Sequence, residues 1–459
     1  MNSVPEPLYL KYRVRRHLSE LLRLATPVAI SRTSIVMLAT IDIAMLGRTG
    51  AHEVAYYALG MSPFIILMVT GIGLLFGTTV STSHAIGTGD FKKAGAVWRN
   101  SLPHACLIGL LFVGLSQLGE GYFRITGQSE DFVQGSKTVF ALLGASLLPT
   151  MLYVTSAFFL EALKRPGPVM CMGIIANILN VAGNYLFIYG DYTDLFPAMG
   201  ADGAALSTAL ARCIMGFGLV GYIWWLKDRD KFGIRIKQGR GWIADGKIQR
   251  RYGYAAGLSF GMETLAFGIM SIFAGWMGAT QLAIYGVSMN LMAVLFMVSL
   301  GLSSATSIRV GIAHGRQDWP DRALAGWTGL MATVCVLASL GLIVAWWPEI
   351  WVKLYFDETD LILGAIPAFI IIGFIIITDG LQVVVSQTLR AAADSWVPTL
   401  MAFISYLLIM TPLGWVFGIY YGRGAYGLFE AIVIGSVFSS CILVGRWMWL
   451  CKNPSKTKI

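Results

Sequence analysis

Apolar residues run in long blocks along this chain, with neither the alternation of a half-buried strand nor the narrow stripe of a soluble helix. Twelve blocks recur, at roughly 24–48, 55–86, 97–119, 136–162, 169–190, 200–226, 253–277, 283–313, 325–348, 361–391, 397–421 and 425–450. Each is long enough for a helix rising about 1.5 Å per residue to cross roughly 30 Å of hydrocarbon. The pattern predicts an all-α polytopic membrane protein of twelve transmembrane helices, the longest of them tilted or extending past the bilayer. Only one polar interruption is long. It spans 227–251 and divides the chain nearly in half. The expected organisation is an N-terminal lobe over 1–226, a basic cytoplasmic linker over 227–251 and a C-terminal lobe over 252–459.

The halves resemble each other. A shift of 228 positions lays GAHEVAYYALGM, from Gly50, over GATQLAIYGVSM, from Gly278, and then pairs Gly73 with Gly301, Thr78 with Thr306, Gly87 with Gly315 and Asp90 with Asp318. A register kept for some 40 residues indicates an internal repeat. Six helices per half, an even number, give both halves one orientation. The expected relation is a pseudo-two-fold axis along the membrane normal, as in parallel transporter repeats.

Composition agrees with the hydropathy pattern. The 459 residues are 56% hydrophobic and 13% charged, with mean hydropathy +0.67, against about 25% charged in soluble domains. The net charge of +9 does not point to nucleic acid, because Lys and Arg sit mainly in short loops. Lys92, Lys93, Arg99, Lys164, Arg165, the segment 227–251, Arg316, Arg322, Lys452, Lys456 and Lys458 fall on one side. Glu120, Glu130, Asp131, Asp191, Asp194, Glu349, Asp357, Glu358 and Asp360 fall on the other. The positive-inside rule then places both termini in the cytoplasm. Lys11, Arg13, Arg15 and Arg16 imitate the basic start of a signal peptide, but the apolar run after them is too long, so the first span is expected to stay in the protein. The six cysteines are scattered without a CxxC pair, and no disulfide framework or zinc site is expected.

Ionisable residues within the blocks carry the functional signal. Asp42, in TIDIAML, lies well inside the first block, where a charge costs at least about 2.5–3.5 kcal/mol on insertion scales. The fifth block offers Asn177, Asn180 and Asn184, the last two sharing a helix face, and the sixth offers Thr208. A carboxylate, two amide oxygens and a hydroxyl would suit Na⁺. Burial disfavours a bare carboxylate charge, so the same cage could hold a proton. The second half places Glu263 and Asp379 among apolar residues. By the repeat, Glu263 corresponds to Ile35 and Asp42 to Met270, so the acidic sites are not symmetry mates. Arg32 is expected to snorkel towards the cytoplasmic interface. Glu161, Arg309 and Arg390 read as interface anchors or partners at the cytoplasmic end, and Met289, Met292, Met297 and the nearby aromatics mostly as lipid-facing packing.

IDIAMLG around Asp42, NILNVAGNYLFIYG in the fifth block, METLAF around Glu263, SIRVG at Ser307–Gly311 and TDGLQVV around Asp379 together resemble the NorM-type branch of the multidrug and toxic compound extrusion (MATE) transporters. The resemblance implies export of amphipathic, often cationic compounds in exchange for inward Na⁺ or H⁺, with no cofactor. It matches Asp42, Asn180, Asn184 and Thr208 to an N-lobe cation site and Glu263 with Asp379 to a C-lobe acidic site. Position 184 is Asn where some relatives carry an acid, and no tyrosine occupies the turn before Asp379. A monomer in a bacterial-type inner membrane is expected. The rival readings are a flippase for lipid-linked precursors, which would favour a cationic cavity, and a membrane enzyme, for which the chain shows no paired aspartates or His/Asp set near an interface.

Overall fold

The computed structural model describes residues 6–190, 197–236, 242–356 and 358–453. Asp191, Asp194, Asp357, Lys456, Lys458 and residues 237–241 of the polar stretch lie outside the described residues, as do the side chains of Lys11 and Asp360. Among the described residues there is no strand, and twelve helices are long and apolar enough to cross a membrane. They are α1 (Tyr12–Leu46), α2 (Ala51–Gly87), α3 (Phe91–Ser116), α4 (Glu130–Ala162), α5 (Gly167–Tyr189), α6 (Gly200–Trp224), α7 (Lys247–Trp276), α8 (Ala279–Gly315), α9 (Trp319–Trp346), α10 (Leu361–Ala391), α11 (Trp396–Tyr420) and α12 (Gly424–Lys452). The first helix starts well before the expected residue 24, because charged residues outside a bilayer are no obstacle to helix. The polar stretch shrinks for the same reason. It contains the short helices Arg229–Phe232 and Trp242–Asp245, and α7 already begins at Lys247.

The repeat is visible in backbone conformation. Gly50 and Gly278 both enter their helices with positive φ, at 139° and 103°. The helices that follow, α2 and α8, are both 37 residues long. Asp90 and Asp318 cap α3 and α9 at nearly equal angles (φ −86°, ψ 81° and φ −87°, ψ 84°), each carboxylate accepting from the backbone N–H three residues on. Side chains at one more repeat pair, Glu53 and Gln281, accept from the first turns of α6 and α12, at Ala201 N (2.6 Å) and Ala425 N (2.7 Å). Such acceptors satisfy donors that a helix start leaves unpaired. Gly200 and Gly424 precede these bonds at φ 54° and 63°, a conformation that favours glycine.

The chain packs as two compact units, Ile30–Gly257 and Met1–Ala29 with Leu258–Ile459. These boundaries differ from the expected lobes at 226 and 252, and glycine contacts explain why. In the first unit a Cβ on Gly73 would lie 2.6 Å from Gly257 Cα, and one on Gly77 would lie 1.9 Å from Gln249 O, so α2 presses directly on the opening turns of α7. In the second unit a Cβ on Gly301 would lie 2.7 Å from Ala25 O and 2.8 Å from Ala29 Cβ, so α8 presses on the opening part of α1. Gly73 and Gly301 are repeat mates. Small residues permit such backbone approach where no water drives the packing.

Helix α11 departs from α geometry. Phe403–Met410 and Trp415–Tyr420 are π-helical, on either side of Pro412. Proline lacks an N–H, and at the residue before it both the backbone N–H and the hydroxyl of Thr411 donate to Tyr406 O, the hydroxyl at 2.8 Å, five residues back. The methionine reading is corrected at Met292, which is buried in a core with Tyr285 and Phe429 instead of facing lipid. Large apolar side chains left uncovered, among them Leu107, Leu110 and Leu111 of α3, form faces that a bilayer would cover.

Gly301→Val is expected to destabilise the protein by about 1–3 kcal/mol through overpacking against α1, lowering the Tm measured in detergent. Gly114→Ala, which meets nothing within 4 Å, should leave Tm unchanged or slightly raised.

Candidate functional site

The unit Ile30–Gly257 brings Asp42, Asn180, Asn184 and Thr208 together. Asn180 and Asn184 lie one turn apart on α5, and Thr208 lies on α6. The two helices approach closely where Gly183 faces Ser207 and Gly203 faces Phe187 O. Asp42 is completely buried between them. Its Oδ1 accepts from Asn180 Nδ2 (3.0 Å) and Asn184 Nδ2 (2.7 Å). Its Oδ2 accepts from Thr208 Oγ1 (2.5 Å) and from the Tyr57 hydroxyl. The roughly four acceptor sites of an ionised carboxylate are thus met by four donors.

This donor set differs from the oxygen cage expected for a cation. Both amides turn N–H groups towards Asp42, and Asn184 Oδ1 is left without a hydrogen-bond partner. The amides would have to turn their oxygens inward to ligate a metal ion. Asn177 is not part of the cluster, since its amide donates to Ser34 O (2.9 Å) and Gly173 O (2.8 Å). Tyr57 was missed from the sequence. Its repeat mate Tyr285 keeps the phenol but not the acid: with Met270 at the position of Asp42, its hydroxyl donates to Phe267 O at 3.2 Å. Arg32 does not snorkel. Its Nη2 reaches both oxygens of the fully buried Glu161 at 3.0 Å, and its guanidinium lies 5.2 Å from the Phe158 ring centroid.

The other unit gathers Glu263 of α7 and Asp379 of α10. Between them stands a second phenol that sequence reading missed, Tyr406 in the π-helical part of α11, beside both carboxylates. Gln382, one turn after Asp379, donates to the Tyr406 hydroxyl at 2.8 Å. This site is not saturated. Asp379 Oδ1 and Gln382 Oε1 are buried without hydrogen-bond partners. Glu263 is partly buried and lines a cavity with Gln382, Gln387, Arg390 and Tyr406. Arg390 is therefore not the expected interface anchor. It is buried in the cavity wall, where Nη2 donates to Ser259 Oγ (2.7 Å) and the guanidinium lies 5.7 Å from the Phe260 ring centroid. Arg309 is likewise buried, with Nη1 donating to His17 O and Nη2 facing His17 Nδ1. Among the described residues no group of three or more His, Cys, Asp or Glu side chains could hold a metal ion.

Buried acids inside an all-helical, twelve-span membrane fold define a membrane transporter. A family model described as MatE matches residues 27–186 and again 255–416, the two matches starting 228 residues apart. The chain belongs to this family, as a NorM-type MATE transporter and not an enzyme. It is 34% identical to a probable multidrug resistance protein NorM of Caulobacter vibrioides, over 94% of this chain and 92% of that one. A protein of the same name from Mesorhizobium japonicum is 26% identical, over 95% and 94% of the two chains. The fold is similar to that of a eukaryotic MATE transporter crystal structure, with TM-score 0.88 and 16% identity over 96% of this chain and 98% of that one. A MOP superfamily transporter from Pyrococcus furiosus gives TM-score 0.84 and 18% identity over 95% and 96%.

The two mated tyrosines make a matched test of the first site. Tyr57→Phe, which removes a donor from a buried carboxylate, should cost about 1.5–3 kcal/mol, and Tyr285→Phe, which removes one from a backbone carbonyl, about 1 kcal/mol. Thermal unfolding of the two variants in parallel checks the difference.

Proposed function

We propose that this protein is a secondary active multidrug efflux antiporter that exports amphipathic, often cationic compounds in exchange for inward Na⁺ or H⁺. The observation that carries the exchange reading is Asp379, a buried carboxylate with an unpartnered oxygen beside a second acid, Glu263. A buried acceptor without a donor is costly. It is relieved by a proton, a metal ion or the positive end of a substrate, and these three then compete for one place. The relatives named as multidrug resistance proteins support the substrate class.

Each residue has a role in this reading. Glu263 and Asp379 hold the coupling ion or the substrate cation, and Tyr406 sets the spacing of the two acids. Asp42 with Asn180, Asn184 and Thr208 is a second cation site, which needs its amides turned before it can accept a metal ion. A ligand shifts the balance of two conformations only by its differential affinity for them, and competition at the acids supplies that difference. One charge moving inward gains about 2.3 kcal/mol per 100 mV. The chain works as a monomer in a bacterial-type inner membrane with both termini cytoplasmic, and it needs no cofactor.

Purified protein in liposomes, with Na⁺ and pH gradients imposed separately, tests the proposal through ethidium movement. One gradient should drive uphill transport, and Asp379→Asn and Asp42→Asn should each lower the ion-driven rate at least about tenfold, the loss of a charge-assisted contact worth about 1.4 kcal/mol or more. Full ion-driven efflux in both variants would sink the mechanism.

A further inference from the structure

The core of the Ile30–Gly257 unit holds a cation that the exchange reading leaves unused. Arg212 lies one turn after Thr208 on α6, about 6 Å along the helix, and is buried at 4% exposure. Its guanidinium sits 4.5 Å from the Phe64 ring centroid, and Nη1 makes a long 3.5 Å bond to Ser146 Oγ. Among the described residues it has no carboxylate in ion-pair contact, and it projects into an apolar cavity whose wall includes Ile35, Leu38, Met68 and Ile72. A guanidinium taken out of water with so little hydrogen bonding is prohibitively costly unless an anion balances it.

Elimination identifies the anion. Among the described residues of this unit the buried acids are Asp42 and Glu161. Glu161 is taken up on both oxygens by Arg32. Asp202 and Glu53 lie towards the start of α6, ten residues or roughly 15 Å from Arg212 along the helix. Tyr153 shares the cavity wall and is neutral as a phenol. Among the described acids only Asp42 remains, and two helix faces connect it to Arg212. On α6, Thr208 donates to Asp42 one turn before Arg212. On α2, Tyr57 donates to Asp42, and Phe64, seven residues on along the same face, lies against the guanidinium.

We propose that Arg212 is the resident counter-cation of Asp42: a tethered positive charge that balances the carboxylate between ion loads and that an arriving ion has to replace. Arg32 and Arg212 then stand against Asp42 and Glu161, two cations facing two carboxylates without any bound ion. That an arriving ion replaces Arg212 rests on the exchange reading; the pairing of Arg212 with Asp42 within the folded unit does not, and its test reads stability alone.

The test is a double-mutant cycle on the full-length protein in detergent, read by thermal unfolding and by monodisperse recovery on size exclusion. Arg212→Gln and Asp42→Asn should each lower Tm by about 5–10 °C, since each leaves one buried charge alone, and the double variant should regain most of that loss. Arg212→Lys, which keeps the charge, should stay near wild type, a rescue that a packing role for the guanidinium would not give. If a single variant cannot be recovered, recovery of the double variant is the positive result. Additive losses in the cycle, a double variant no more recoverable than the worse single one, or Arg212→Lys as damaging as Arg212→Gln would each overturn the proposal.

Discussion

A carboxylate taken out of water must be met by donors, by a cation or by a proton, and the rest of this structure is arranged around the different ways that demand is met. Glu161 has a dedicated cation in Arg32. Asp42 has four donors on three helices. Asp379 keeps an oxygen without a hydrogen-bond partner. These are three degrees of satisfaction within one fold, and the least satisfied group is the one with most to gain from a mobile charge. Helix placement follows from the same demand, since Asp42 can collect its donors only because α5 and α6 touch through Gly183 and Gly203.

Much of the scaffold was legible in the sequence. Twelve apolar blocks fixed helix number, because a bilayer leaves the backbone few other options. The 228-residue register survived into cap angles, helix lengths and the twofold match of the family model. The unit boundaries were not legible. They are set by Gly73 against Gly257 and Gly301 against Ala25 and Ala29, contacts between helices that hydropathy cannot pair.

The sites divide in the same way. Asn180 and Asn184 announced themselves by a four-residue spacing in an apolar run, and Thr208 by a hydroxyl in the next one. What spacing could not give was the direction of the amides, since an asparagine reads identically as donor or acceptor. Tyr57 carried a usable signal, because its tyrosine is repeated at position 285 within the aligned GAHEVAYYALGM and GATQLAIYGVSM. Tyr406 carried none. It shares a helix face with Pro398 and Ala402, eight and four residues back, but nothing in the sequence pairs that face with Glu263 and Asp379 on other helices. Arg32 and Arg390 were misread for a shared reason: a long basic side chain near a helix end suggests the interface until a buried partner is found for it.

The exchange of opening helical turns has a consequence for how such a chain came to be and how it must be made. Each unit contains the first turns of a helix that continues in the other, so neither half of the sequence encodes a complete packing unit. A chain cut in the polar stretch would give two fragments, each missing a piece its own core needs. Duplication of a six-helix ancestor would have yielded this pattern from the start only if two separate copies already traded those turns. In that case the covalent link would have preserved an existing partnership and made synthesis of both halves a single event.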